Sequence, residues 1–131
     1  MRHWRRRGGD AEERRAADRR GRTAEALAIL MLRVKGYRIL ARRMRTPAGE
    51  IDLIAKRGRV YAFVEVKARP DPQTAGEALG SHQRRRIEQA AAWWIGRHVS
   101  DTDYDMRFDL VTLVPGRLPR HLSDAWRPDT G

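Results

Sequence analysis

The clearest candidates for chemistry in this chain are three acids and a lysine that fall within one stretch of about twenty residues: Glu50, Asp52, Glu65 and Lys67. Carboxylates set among Ile, Leu, Val and Phe residues are costly to remove from water unless they pair or bind an ion. A divalent cation with oxygen ligands would relieve their mutual repulsion. The chain has only three lysines beside 25 arginines, so a lysine here runs against its own usage. A compact ammonium cannot be replaced by a guanidinium fork.

A β-hairpin is predicted to position these groups. Runs rich in β-branched and aromatic residues lie on either side of the charged segment at residues 56–59, which contains a glycine. A two-residue loop at positions 57–58 makes Asp52 face Phe63. Because side chains alternate along a strand, the four charged groups then share one face of the sheet near one end of the hairpin.

Both faces of this hairpin look apolar, with Ile51 and Leu53 predicted on one face and Ile54 on the other. This pattern is typical of central strands that are covered on both sides. The alternative is an ordinary exposed hairpin end, where Glu65 and Lys67 are solvated and only pair with each other.

Helices and strands on both sides of the hairpin complete the prediction. The patterns predict a helix at 23–35, a strand at 37–44, a helix at 82–98, a strand at 106–114 and a short edge strand at 118–122. Gly36 is the expected cap of the first helix and Ser81 that of the second. The order α-β-β-β-α-β predicts an α/β fold, a mixed sheet flanked by helices.

Glu25 lies in the first helix at the border of the apolar face. From there its carboxylate could reach over the sheet toward Asp52, as a further ligand or as a group that orients a ligand. The alternative is a first-turn glutamate favoured by the helix dipole.

The length of 131 residues suits one domain with a modest core. Residues 1–20 are dense in charge and have no apolar stripe, which predicts either a flexible basic arm or a solvated helical extension, followed by a single domain at 21–131. The sequence leaves open whether this arm contacts phosphates or is a plain tail.

The net charge of +11 favours a polyanionic partner. Residues 21–131 alone keep a net charge of +7, so the body of the protein is basic as well. Nucleic acid is the first expectation and an anionic membrane surface the second, while nonspecific RNA binding by an arginine-rich protein competes with both. The residues predicted to contact nucleic acid are Arg45, Arg69, Gln83, Arg84, Arg85 and Arg86. The last three crowd a helix N-terminus, where phosphate contact explains cations better than helix stability does.

Several classes of protein are excluded by the composition. The chain has no cysteine, so a disulfide framework and a thiolate metal site are not available. No apolar run approaches the roughly 20 residues of a membrane span, and no signal core follows the arginine-rich N-terminus. A cytoplasmic location is therefore expected.

The segments G-E-I-D-L-I and F-V-E-V-K-A-R, at residues 49–54 and 63–69, resemble the signature of the YraN-like bacterial family. That family is placed with the archaeal Holliday-junction resolvases in the PD-(D/E)XK nuclease superfamily. The resemblance extends from about Gly21 to Trp126. It implies a restriction-endonuclease-like fold and a Mg²⁺- or Mn²⁺-dependent endonuclease acting on DNA or structured nucleic acid.

The same resemblance implies roles for individual residues. Asp52 and Glu65 would bind the metal, Lys67 would act on the attacking water, and Glu25 matches an upstream helical glutamate. Glu50 is a candidate for a second metal. Family members commonly carry Asn at position 43 and often a lysine near position 83, and resolvase relatives act as dimers. The competing hypothesis is a nucleic-acid-binding module that keeps the fold and no longer cuts.

Overall fold

A computed structural model describes residues 2–71 and 79–128, and within its first helix the side chains of 11–15, 19 and 21 onward. The helices and strands are α1 (Arg2–Val34), β1 (Arg38–Thr46), β2 (Gly49–Arg57), β3 (Val60–Ala68), α2 (Ser81–His98), β4 (Asp105–Leu113) and β5 (Arg120–Trp126).

The five strands form one mixed sheet in the order β1-β2-β3-β4-β5. Strands β3 and β4 are parallel, and every other neighbouring pair is antiparallel. A parallel pair needs a crossover connection, and α2 lies in the segment that joins these two strands. The predicted α/β architecture of a mixed sheet flanked by helices is confirmed.

The two helices cover opposite faces of the sheet. Successive residues of β3, Phe63 and Val64, belong to different hydrophobic clusters. The α1 core contains Ala24, Ala28, Ile29, Leu32, Leu53 and Val64. The α2 core contains Ile51, Ile54, Phe63, Ile87, Ala91 and Trp94. Burial on both sides makes β2 and β3 the central hairpin that the apolar pattern predicted.

Helix α1 begins at Arg2, so the charge-dense N-terminal stretch is helical, one of the two predicted alternatives. The helix ends as predicted at Gly36, whose φ of 94° suits a residue without a side chain. There the Gly36 N–H donates to the Arg33 carbonyl at 3.0 Å and the Tyr37 N–H to the Leu32 carbonyl at 3.0 Å.

Three local predictions are wrong. The hairpin loop is 58–59, not 57–58, because Gly58 takes the positive φ of 60° at the first loop position. Ile54, not Asp52, therefore faces Phe63. Helix α2 is capped by Gly80 without a side-chain bond, so Ser81 is its first residue. The edge strand β5 lies at Arg120–Trp126 rather than 118–122.

Candidate active site

Strands β2 and β3 separate at the end of the sheet where Asp52 lies. Their last pair toward this end is Leu53 with Val64. Beyond that pair the Val66 N–H donates to Asp52 Oδ2 at 2.8 Å. The Asp52 carboxylate thus accepts the hydrogen bond that a backbone carbonyl of the neighbouring strand would otherwise accept. The carboxylate therefore lies between the two strands.

The alternation of side chains along β2 breaks at Asp52. Ile51 and Ile54 pack in the α2 core, whereas Leu53 packs in the α1 core. Asp52 lines a cleft on the α1 side of the sheet. Two successive residues, Asp52 and Leu53, therefore project to the same side. The prediction that Ile51 and Leu53 share a face is wrong for this reason.

Strand β1 changes its alternation at the same level. The pairs on either side place Arg43 opposite Asp52, and Arg43 has a left-handed backbone with φ of 49°. This conformation is uncommon for a residue other than glycine. It turns Arg42 and Arg43 to the same side of the sheet, where both contact Glu25.

The four charged groups do not share one face, contrary to prediction. Glu50 and Asp52 line the cleft on the α1 side. Glu65 lies toward α2, where its Oε1 accepts a hydrogen bond from Gln83 Nε2 at 3.4 Å. Lys67, two residues further along β3, follows Glu65 by alternation. The groups still meet, because the separation of β2 and β3 lets the Asp52 side chain reach between the strands.

The carboxyl groups of Asp52 and Glu65 are hydrogen-bonded to each other. Burial, followed by the charge of Asp52 and the hydrogen bond to it, raises the pKa of Glu65 to about 8. Burial also raises the pKa of Asp52, against the opposing effect of the Val66 N–H. With a pKa of about 8, Glu65 is expected to keep a proton at neutral pH, which relieves the repulsion between two adjacent half-buried carboxyls.

Lys67 is a cation whose charge acts on this pair. Its residue is only 9% exposed, and its positive charge lowers the pKa of Glu65 against the effects of burial and Asp52. A buried ammonium of this kind needs a carboxylate close by. The solvated hairpin end, which was the alternative from sequence, is therefore wrong.

Glu25 forms the α1 side of the cleft, which has a volume of about 440 Å³. The residue is 6% exposed. Its Oε1 accepts from Arg42 Nε at 3.3 Å and its Oε2 from Arg43 Nε at 2.8 Å. The charge of Glu25 raises the pKa of Asp52, so the two carboxylates interact across the cleft. Glu25 and Asp52 thus line the same cleft, while the oxygens of Glu25 bind arginines.

Glu50 lies at the rim of the same cleft. Its side chain is 47% exposed, and its Oε2 is 3.8 Å from Arg45 Nε, on a side chain that is 91% exposed. The charge of Glu50 raises the pKa of both Asp52 and Glu65. Glu50 thus adds negative potential to the pair from the solvent side.

Across the described ranges, 2–71 and 79–128, no three Asp, Glu or His residues are grouped so as to hold a metal ion. The pair of Asp52 and Glu65 is nonetheless a suitable ligand set for Mg²⁺. This ion commonly keeps several waters and binds proteins through one or two carboxylates, completed by the phosphates of a substrate. A cation between the two oxygens would also replace the proton that Glu65 is expected to keep.

The residues predicted to contact nucleic acid divide between two places. Arg45 lines the cleft, and Gln83 contacts Glu65. The Arg86 side chain lies beside Gly49 at the start of β2, with its Nε 3.6 Å from where a Cβ would stand on that residue. Arg84 and Arg85 belong to the same first turn of α2. Arg69 instead lines a second groove beside the cleft.

If the first turn of α2 contacts phosphates, replacing Arg84, Arg85 and Arg86 together by Ala is expected to weaken duplex binding for every sequence alike. Each lost contact removes about 0.9 from the slope of log affinity against log salt, so the slope falls by about 2.7. The measurement is fluorescence anisotropy of a labelled duplex over a series of salt concentrations.

The control for that experiment removes the same charge at the opposite end of the sheet. Arg33, Arg38 and Arg97 are exposed there, since Arg38 pairs with Lys56 at the far end of β2. Their triple Ala variant is expected to keep the wild-type slope. Equal slopes for the wild type and the α2 variant would place the interface elsewhere.

Three cleft residues were missed by sequence reasoning: Arg22, Arg42 and Arg43. All three are cations near the carboxylates, either lining the cleft or bonded to Glu25. One signal was available, because two adjacent arginines in a strand of a doubly covered sheet do not fit strict alternation. No such signal marks Arg22, which is one of many arginines in α1.

Asp109 is fully buried and belongs to a second polar cluster that supports the sheet. It accepts hydrogen bonds from Arg107, from His121 Nε2 at 2.8 Å and from the Asp124 N–H at 3.0 Å. Arg107 also donates to the Tyr37 hydroxyl. Burial alone would raise the pKa of Asp109, but the bonds from His121 and Arg107 lower it to about 2. Asp109 and Arg107 therefore form a structural pair.

Comparison with known proteins identifies the family of the chain. The family model of "Uncharacterised protein family UPF0102" matches residues 24–113, which include most of the residues that line the cleft. A UPF0102 protein of Parvibaculum lavamentivorans is 59% identical over 113 residues, covering 86% of this chain and 85% of the relative. Those of Paramagnetospirillum magneticum and Agrobacterium fabrum are 51% and 48% identical over 118 residues, covering 87% and 90% of this chain and 92% and 97% of the relatives.

Within the ranges that the structure covers, no helix is both long enough and apolar enough to cross a membrane. The match with the family model spans more than half of the chain, and the relatives align over nearly their whole length. The chain belongs to the uncharacterised protein family UPF0102.

Proposed function

We propose that this protein is a metal-dependent nuclease with a restriction-endonuclease-like fold, related to the YraN-like family that its motifs resemble. The observation that carries the proposal is the half-buried pair of Asp52 and Glu65, whose pKa values burial raises, with the buried Lys67 beside it. Groups with strongly raised pKa values in a cleft are typical of functional sites. Without a function, two adjacent carboxyls at the point where β2 and β3 separate would cost desolvation free energy for no gain.

Asp52 and Glu65 are the residues that would hold Mg²⁺ or Mn²⁺, with Glu50 adding negative charge at the rim. The ion would supply polarisation of the phosphoryl oxygen and a lower pKa for bound water. Two features of the chain prepare its ligands. The Val66 N–H fixes Asp52 Oδ2 at 2.8 Å, and Gln83 holds Glu65 Oε1 at 3.4 Å.

The chain's own residues act on charge and protons. Glu65 gives up its proton when the site is loaded, since a ligating carboxylate must be ionised. Lys67 is held close to Glu65, where its ammonium orients the attacking water or offsets charge that develops on the phosphate. Because a planar guanidinium cannot occupy the same point, Lys67 is not interchangeable with arginine.

Glu25 acts through its arginines rather than on the phosphate itself. By binding Arg42 and Arg43 it holds two guanidinium groups at the cleft, beside Arg22 and Arg45 on its lining. Cations that border a cleft attract phosphates and position a nucleic acid backbone. Glu25 is therefore a positioning residue in this proposal.

The substrate class is nucleic acid, DNA in the first instance, and the site of action is the cytoplasm. The excess of 28 Lys and Arg over 17 Asp and Glu supports a polyanionic partner. A homodimer would place two such sites on two strands, as in the resolvases that the motifs resemble.

A second candidate function is a nucleic-acid-binding module on the same fold. It is favoured by one observation, that among the residues described no third acid is grouped with the pair. A panel of linear, flapped and four-way-junction substrates, each with Mg²⁺, Mn²⁺ or EDTA, separates the two. Cleavage that needs the ion supports the nuclease, and binding without cleavage of any substrate supports the module.

A further inference from the structure

A second groove adjoins the cleft and has no part in the chemistry proposed above. Its volume is about 920 Å³, and it shares Ala24 and Ala68 with the cleft, so the two are continuous. Residues from α1, from the end of β3 and from the β4–β5 turn form its walls. A strand of nucleic acid that leaves the carboxylate pair on the α1 side would enter this groove.

The groove combines cations with apolar walls. Arg19, Arg69 and Arg117 line it, and its described lining includes no acid. The apolar part includes Leu27, which is 43% exposed, and Leu113. The arginines therefore suit phosphates, and the apolar wall suits an apolar group attached to those phosphates.

A duplex cannot use such a surface, because its bases are stacked inside and it presents phosphates and groove edges. Unpaired bases are free to pack against apolar side chains while their phosphates contact arginines. The volume is that of sites that hold small ligands, which leaves room for a few nucleotides of one strand. No aromatic ring stands among the described residues of this lining, so the bases would pack on aliphatic side chains rather than stack on rings.

Helix α1 extends the cationic path beyond the groove. Arg15, Arg19 and Arg22 follow the spacing i, i+4, i+7 and lie on one side of the helix. Arg22 lines the cleft and Arg19 lines the groove, so the stripe begins at the site and leads outward along the charge-dense part of α1.

We infer that this groove binds an unpaired strand next to the scissile phosphate, so that the preferred substrate is a nucleic acid with a single-stranded segment, such as a flap, a fork or a free end. This inference rests on the proposed nuclease function. It assigns the groove arginines to the phosphates of the unpaired strand, and Leu27 to its bases.

The test measures binding rather than cutting, in EDTA, on protein that carries Asp52→Asn. The probes are a labelled single-stranded oligonucleotide and the corresponding duplex. Replacing Arg69 and Arg117 by Ala is expected to reduce the salt slope for the single strand by about 1.4, at about 0.7 for each lost contact, and to leave the duplex slope unchanged. Equal slopes for the variant and its parent on the single strand would overturn the inference.

A matched pair of variants probes the apolar wall. Leu27→Glu places an acid in the groove, whereas Leu30→Glu places the same acid on α1 outside its lining, at a position that is 59% exposed. Both positions are exposed, and circular dichroism checks that both proteins fold. Leu27→Glu is expected to weaken single-strand binding at least tenfold relative to Leu30→Glu. Equal affinities of the two variants would contradict the assignment.

The two proposals fail differently. Metal-dependent cleavage by the wild type together with unaltered single-strand binding by the groove variants would overturn the groove and leave the nuclease standing. Loss of single-strand binding in the groove variants, without cleavage of any substrate by the wild type, would overturn the nuclease and leave the groove as a single-strand binding site.

Discussion

Asp52→Asn and Glu65→Gln are each expected to abolish metal-dependent cleavage, with a loss of about a thousandfold or more, because each removes ligand charge at nearly constant volume. The fold should persist. The amide that Asp52→Asn introduces would still offer an oxygen to the Val66 N–H, which the Asp52 carboxylate now binds at 2.8 Å. The measurement is single-turnover cleavage of the preferred substrate from the panel, with Mg²⁺ or Mn²⁺ in excess.

The control for this loss is a carboxylate that lies outside the cleft. Asp109 would be a poor choice, since its removal leaves Arg107 and His121 without their buried partner. Glu88, on α2 and bonded to the Trp126 indole at 3.3 Å, is the better one. Glu88→Gln should cut at close to the wild-type rate. Full activity in the double variant of Asp52 and Glu65 would refute the site.

Without metal, the free energy of unfolding is expected to fall as the pH rises from about 4.5 to about 8. Folding raises the pKa of Glu65 from 4.5 to about 8, so the folded protein holds a proton that the unfolded chain has released. Stability from this group is complete below pH 4.5 and is lost as the pH passes 8. The free energy of unfolding should fall by at most about 1.4 kcal/mol per pH unit. Urea unfolding at several pH values measures this fall.

Glu65→Gln isolates this effect from the titration of the histidines. Its amide resembles the protonated acid, so the variant should match the wild type near pH 5 and exceed it at about pH 8. At that higher pH, added Mg²⁺ should raise the free energy of unfolding of the wild type by about 2.7 kcal/mol at 100 times its dissociation constant. The stability of the variant should not change. Parallel pH profiles of the two proteins would show that Glu65 is not the group that titrates.

The fold was largely predictable because its signals are local. Apolar runs with a glycine between them placed the central hairpin, and Gly36 ended α1 where its φ of 94° requires a residue without a side chain. The mixed sheet followed from the order of helices and strands. The loop was misplaced by one residue, since the charged segment at 56–59 has only Gly58 to mark the turn and that glycine fits either loop position.

The proximity of Asp52, Glu65 and Lys67 was predictable from the sequence, but its geometry was not. Asp52, Glu65 and Lys67 do lie together, yet on different sides of the sheet, because Arg43 and Asp52 interrupt the alternation of two strands at one level. Strict alternation is the only rule that a sequence offers for side-chain direction in a strand. Besides the two adjacent arginines, a further hint of this kink was that members of the resembled family commonly carry asparagine at position 43, a residue that suits a left-handed backbone.

Calorimetric titration of Mn²⁺ into the metal-free protein at pH 7, in two buffers of different ionisation enthalpy, tests the central claim most directly. The raised pKa of Glu65, about 8, is expected to keep a proton on the pair at neutral pH. A cation that binds between the two carboxylates must displace it. The wild type is expected to release about one proton per bound ion, and Glu65→Gln none, with much weaker binding. An ion that binds both proteins equally, or that binds the wild type without releasing a proton, would contradict the assignment of this pair as a metal site.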